Sequence, residues 1–238
     1  MKLIACLIWY DETVEELERA VYSIRGFADG LVALDGAFAR FPYGASRPWS
    51  ESEQLTSILK NAAYTGQDDN FEVLAYQPTA AGRWPGFEGN EVEKRNASLR
   101  MAGYLGADWV INVDADMHLL SDSDWAKPRL IEARRLLEET HFDVADIAIG
   151  MDAVRCCFRW TPTLWYDRTH YFVRDGERVL ALPISSLSRE KLGVPELEGS
   201  LSLTDHVMFS HPARQYVERR KKQQEWYRLR DSQGIEAL

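Results

Sequence analysis

The sequence predicts an α/β fold with a mostly parallel central sheet flanked by helices, a β-rich second half and a C-terminal helix. Three observations lead there. Strand-like and helix-like segments alternate through the first half of the chain, the signature of parallel strands joined by helical crossovers. The pattern then changes to successive short strands with turn signals between them. Across 238 residues no Gly/Ser linker, low-complexity run or internal repeat divides the chain, so one domain spanning 1–238 is expected, with halves 1–120 and 121–238.

The first strand is the apolar run up to Trp9. It runs directly into Asp11, Glu12 and a helical pattern, so it reads as a strand rather than a signal peptide. Val14, Leu17, Val21 and Ile24 recur at helical spacing, Thr13 and Glu16 form a capping box, and Gly26 marks the stop. Gly30 to Leu34 is the second strand, closed by Asp35-Gly36, and Pro42, Gly44 and Pro48 mark a long loop. Ser50-x-x-Glu53 repeats the capping signature ahead of a helix with Leu55, Ile58, Leu59 and Ala62, and Phe71 to Tyr76 is the third strand. An irregular loop over 77–89 leads to a helix opened by Lys94-Arg95-Asn96, then to the strand that begins at Trp109.

Beyond a helix at about Asp124 to Glu139, strands are expected at Val144 to Ile149, Arg155 to Trp160, Tyr166 to Val173 and Leu201 to Phe209. Asp175-Gly176 is a hairpin turn signal. A polar helix from about Ala213 to Arg230 closes the chain. The segment 213–238 carries seven Arg/Lys against four Asp/Glu, so this helix is either a solvated basic face laid on the domain or a peripheral contact with an anionic membrane or acceptor.

A net charge of −9 argues against a general nucleic-acid binder. Cys6, Cys156 and Cys157 have neither a disulfide framework nor metal-ligand spacing, and they read as buried thiols. No apolar stretch is long enough to span a bilayer, so a cytoplasmic protein is the expectation.

The most informative stretch is Trp109-Val-Ile-Asn-Val-Asp-Ala-Asp-Met117. In an extended strand residues i and i+2 share a side, so Asp114 and Asp116 are expected to aim at one small volume. Two carboxylates there suit a divalent cation such as Mn²⁺ or Mg²⁺, and the carboxyl ends of parallel strands are where α/β proteins bind ligands.

With Asp11-Glu12 after strand one, Asp35 after strand two, Lys94-Arg95-Asn96, the turn Gly106-Ala107-Asp108-Trp109 and Asp114-Ala115-Asp116, the chain resembles the GT-A glycosyltransferases. It is most similar to family 2, in particular its small soluble members of the lipopolysaccharide-core type. A second block, Arg155-Cys-Cys-Phe-Arg159 with Tyr166 and His170 downstream, and a third, His206 with Arg214, extend the likeness over most of the chain. His170-Tyr171 departs from the His-Glu of such relatives.

The resemblance implies a GT-A fold whose first half, 1–120, binds a nucleoside diphosphate sugar and whose second half, 121–238, binds the acceptor. Trp9, Tyr10, Asp11 and Glu12 would line the base pocket and Asp35 would hydrogen-bond the base, although Asp35-Gly36 also reads as a simple turn. Arg95 would approach the nucleotide; a solvated first-turn arginine is the plainer alternative, disfavoured by the helix dipole. Asp114 would lie near the ribose or metal, and Asp116 would hold a metal bridging the diphosphate, with His206 or His211 as third ligand.

An inverting transfer needs a general base for the acceptor hydroxyl. Asp152, Asp167, His170, Glu196 and Glu198 are the candidates, with Asp167 and His170 first among them. Arg155 and Arg159 share one side of a regular strand and would serve diphosphate or acceptor binding, against the alternative of cross-strand ion pairs. Trp84, Trp160 and Trp165 are candidates for stacking on sugars, and core packing explains them equally well.

The acceptor stays open among a glycan, a lipid-linked saccharide, a protein and a modified nucleobase. The main competitor is a phosphatase of the haloacid dehalogenase type, which places its Asp-x-Asp on the first strand. Here the motif follows about the fourth strand, with His118 where Thr or Val is expected. A sugar-phosphate nucleotidyltransferase would show a Gly-rich loop after strand one, and Trp9-Tyr10-Asp11-Glu12 is not one. A relative that binds nucleotide sugars without turnover is the non-enzymatic reading.

Overall fold

Strand β1 (Leu3–Trp9) is buried along its whole length, and its side chains divide between two cores. Leu3, Ala5, Leu7 and Trp9 face one helical layer, while Ile4, Cys6 and Ile8 face the other, as the two-residue period of a strand requires. The computed structural model describes residues 1–9, 12–36, 50, 52–63, 71–76, 90–121, 123–167, 172–182, 197 and 199–210. Tyr10, Asp11, His170, His211, Trp84, Glu196, Glu198 and the expected helix over 213–230 lie outside them.

The first half builds as its pattern predicts. Helix α1 (Val14–Ile24) opens on a capping box in which Glu16 N–H donates to the Thr13 hydroxyl and the Glu16 carboxylate accepts from Thr13 N–H. Strand β2 (Gly30–Asp35), helix α2 (Ser52–Ala63), strand β3 (Glu72–Tyr76), helix α3 (Asn90–Tyr104) and strand β4 (Trp109–Asp114) follow. The four strands are parallel in the order β3-β2-β1-β4, with Trp9 opposite Asp35 and Ile8 opposite Asp114. Helix α3 begins at Asn90, so Lys94-Arg95-Asn96 lies in its second turn rather than opening it.

The second half makes the sheet mixed, which corrects the expectation of a mostly parallel one. Strands β5 (His118–Leu119), β6 (Val144–Ile149), β7 (Asp152–Arg159), β11 (Leu201–Ser202) and β12 (Met208–Ser210) join it, with helix α4 (Ala126–Glu139) between β5 and β6. The order continues β4-β7-β6-β12-β5, where β7 is antiparallel to both β4 and β6, and β11 pairs with β6. A separate three-stranded antiparallel sheet is formed by β8 (Leu164–Tyr166), β9 (Val173–Asp175) and β10 (Arg178–Ala181). Two expected long strands are thus each two short ones. Tyr166 to Val173 divides into β8 and β9, and Leu201 to Phe209 is broken by a turn in which Leu203 O accepts from both His206 and Val207 N–H.

Helices α1, α2 and α4 cover one face of the large sheet through Leu17, Val21, Ile58, Leu130 and Leu137. Helix α3 and the small sheet cover the other through Leu99, Ala102, Leu164, Tyr166 and Leu180. Among the described residues no helix is long and apolar enough to cross a membrane.

Candidate functional site

The crossovers through α1 and α2 lead from β1 outward to β3, and the crossover through α3 returns past β1 to β4. The reversal lies between β1 and β4, and open α/β sheets bind ligands in the crevice at the carboxyl ends of such strands. There the structure brings together Trp9, Asp35, Lys94, Arg95 and Asp114.

Arg95 reaches from α3 and donates through Nη2 to Asp114 Oδ1 at 2.7 Å. The arginine side chain is 7% exposed and the carboxylate 45%, so a buried cation is presented to solvent through its partner. The guanidinium carbon stands 5.8 Å from the Tyr166 ring centroid, within cation–π range. Asn96, the next residue, exchanges two hydrogen bonds with the Tyr166 backbone, Nδ2 to O at 3.0 Å and Tyr166 N–H to Oδ1 at 2.6 Å. The small sheet is thereby pinned to α3 directly beside the Arg95–Asp114 pair.

Asp35 is fully buried, and both of its oxygens accept from its own chain. Oδ1 takes the Gly36 N–H and the Ser50 hydroxyl, each at 2.7 Å, and Oδ2 takes the Ser50 N–H at 2.6 Å. This is the turn-closing arrangement, and it ties Ser50 to the end of β2. Trp9 is 2% exposed, and its buried Nε1–H has no hydrogen-bond partner among the described residues. The Glu12 carbonyl accepts from Gln54 Nε2 at 3.2 Å.

Strand parity fails at Asp116. β4 ends at Asp114, whose carbonyl accepts from Met117 N–H at 2.9 Å, so Ala115 and Asp116 form a turn. Asp114 joins Arg95 of α3, whereas Asp116 lines a small recess with Glu16 and Arg19 of α1 and with Met117 and His118. Burial and the nearby Arg19 lower the His118 pKa. His206 stands in the turn before β12, and its buried Nδ1 has no hydrogen-bond partner among the described residues. Among the described residues no three His, Cys, Asp or Glu side chains converge as metal ligands.

Asp167 follows Tyr166 and accepts from Arg174 Nε at 2.9 Å. Asp152 is exposed at the start of β7. Arg155 and Arg159 do not share a face. Ala145 pairs with Cys157 but Asp146 with Arg155, so Cys156 is one extra residue, a β-bulge that reverses the alternation. Arg155 turns to Asp146 and the Leu180 carbonyl on the small-sheet side. Arg159 lies over Trp109 at the amino end of β4, bonded to Asp143, Thr140 and Phe142. Both make the ion pairs of the plainer alternative, and Arg159 is at the opposite end of β4 from Asp114. Trp160 donates from Nε1 to Leu99 O at 2.8 Å and packs on Gly103, while Trp165 is exposed on β8.

Sequence reasoning missed Lys94, which is completely buried. Its signal was present: Lys94, Ser98 and Ala102 recur four apart as the inward stripe of α3, and all three are fully buried. Burial pushes the Cys6 thiol up to about 12 and raises Cys156, Cys157 and Tyr166 as well, so none of them is an ionised nucleophile or base at neutral pH. Compared with known proteins, the chain matches no protein-family model and no curated protein.

Proposed function

We propose that the chain is a GT-A-type glycosyltransferase that moves a sugar from a nucleoside diphosphate sugar to an acceptor hydroxyl, with inversion. The observation that carries this reading is the meeting of Trp9, Asp35, Arg95 and Asp114 at the carboxyl ends of β1, β2 and β4. A nucleotide in that crevice would meet the solvent-open Asp114 carboxylate and, joined to it, the Arg95 guanidinium, whose orientation Asp114 and Tyr166 fix. Negative charge grows on the departing nucleoside diphosphate, and a preorganised cation answers that demand. Arg95 is the cation that the described residues place at this crevice to answer it.

A divalent cation, Mn²⁺ or Mg²⁺, is the cofactor the Asp-x-Asp chemistry asks for. The described residues do not by themselves fit one. Asp114 is engaged by Arg95, and Asp116 shares its recess with Arg19, a like charge for any incoming cation. A complete ligand set would draw on residues outside the described ones, His211 among them.

A second reading, binding of nucleotide sugars without turnover, is favoured by the Asp167–Arg174 pair, which engages the first candidate for the base. Calorimetric titration of UDP-, GDP-, CMP- and dTDP-linked sugars, with and without Mn²⁺, on wild type and Asp116→Ala tests both. One donor binding only with Mn²⁺, and not in the variant, supports the transferase. Binding unaffected by metal or variant, with no donor hydrolysis, supports the second reading, and no binding at all rejects both.

A further inference from the structure

We infer that Lys94 is a positioning residue for the nucleoside end of the donor, an inference that rests on the proposed nucleotide-sugar site. Its Nζ donates to the Trp9 carbonyl at 2.7 Å and to the Gly36 carbonyl at 2.9 Å, joining the ends of β1 and β2 from beneath. The need for such a clamp is visible in the ladder. Trp9 and Asp35 are the last paired residues of β1 and β2, and Gly36 turns away with φ +140°, giving its N–H to the Asp35 side chain instead of continuing the ladder. The carbonyls of Trp9 and Gly36 need other donors, because buried backbone acceptors left unpaired are costly. One ammonium serves both.

Trp9 and Asp35, proposed for the base pocket, are the last residues of the two strands, so Lys94 fixes the separation of the two roots of that pocket. A lysine suits the task where an arginine does not. Its ammonium is a compact point with three donors, able to bond two carbonyls from a fully buried position. Lys94 touches no part of the reacting groups in this arrangement; it acts through the backbone of β1 and β2.

The experiment compares wild type with Lys94→Met, which keeps the apolar stem, Lys94→Gln, which keeps an N–H donor, and Lys2→Met. Lys2 pairs with Glu72 at the amino ends of the strands, far along β1 from the site. Each protein is melted and titrated with UDP, GDP and dTDP and their sugars. Lys94→Met is expected to weaken nucleotide binding by about tenfold or more, the scale of a lost charge-assisted hydrogen bond. Lys94→Gln is expected to recover part of that loss, and Lys2→Met none of it to lose. Nucleotide affinity within about twofold of wild type in a folded Lys94→Met protein overturns the inference while leaving the transferase reading intact, that threshold being well inside one tenfold step. Absence of nucleotide binding in wild type overturns both. Should Lys94→Met not fold, Gly36→Ala disturbs the same root from β2, where its positive φ strains any side chain. The same selective loss is then expected, and unchanged affinity overturns the inference.

Discussion

Arg95 and Asp114 are joined at 2.7 Å across the reversal point of the sheet, the arginine buried and the aspartate open to solvent. Arg95→Met therefore leaves behind a carboxylate that water can reach. The cost in stability is expected at about 1–3 kcal/mol, below the 3–5 kcal/mol typical when a buried charge is stranded. Urea denaturation measures it, and titration with nucleotide sugars is expected to show binding lost in the same variant.

Gly103 faces the Trp160 indole so closely that an added Cβ would stand 2.2 Å from one ring carbon. In an open helix Gly→Ala gains up to about 1 kcal/mol. Here the indole is anchored by its bond to Leu99 O, so Gly103→Ala is expected to destabilise by about 1–3 kcal/mol. A raised melting temperature would show that Trp160 is not held as described.

Thr13→Ala removes the hydroxyl that caps Glu16 N–H, and a loss of about 1 kcal/mol is expected from chemical denaturation. Thr13→Asn, which can restore the cap, is expected to recover most of it.

Burial raises the Asp143 pKa, but hydrogen bonds from Arg178 and Arg159 outweigh it and hold the carboxyl below its ordinary 3.8. A depressed folded pKa means the unfolded chain takes up the proton first as pH falls. The stabilisation is thus complete above pH 3.8 and disappears as pH drops through the folded value. The stability gap between wild type and Asp143→Asn is expected to be constant at neutral pH and to close below that range; a gap independent of pH down to acid unfolding would contradict the pairing.

The first half of the fold was legible because its signals are local. The alternation of β1, the Thr13–Glu16 box and the period of α1 each specify their own element. The site was legible to the extent that it lies at the ends of those strands. What escaped was set by partners distant in sequence. The two aspartates of Asp114-Ala115-Asp116 suit a solvated turn at a strand end as well as a metal site, and the chain leaves the strand there to reach β5 against α1, where Leu119 N–H finds the Ser23 hydroxyl. The stripe of Lys94, Ser98 and Ala102 announces that Lys94 points inward, but what it does there waits on the two carbonyls that receive it. Leu201 to Phe209 breaks at the polar Thr204-Asp205-His206, a signal the sequence did carry, whereas β8 and β9 are told apart only by their pairing with each other.

The extra residue at Cys156 sets a rule of spelling for β7. Its one-residue slip lets a single strand send Arg155 to one side of the sheet and Arg159 to the other. Deleting Cys156 would set Arg155 and Cys157 side by side opposite Asp146 and Ala145, the regular register, so both arginines would keep their sides, whereas deleting any other single residue of β7 would shift one flank against β6. The one place in β7 where the pairing can absorb a change of length is the bulge itself.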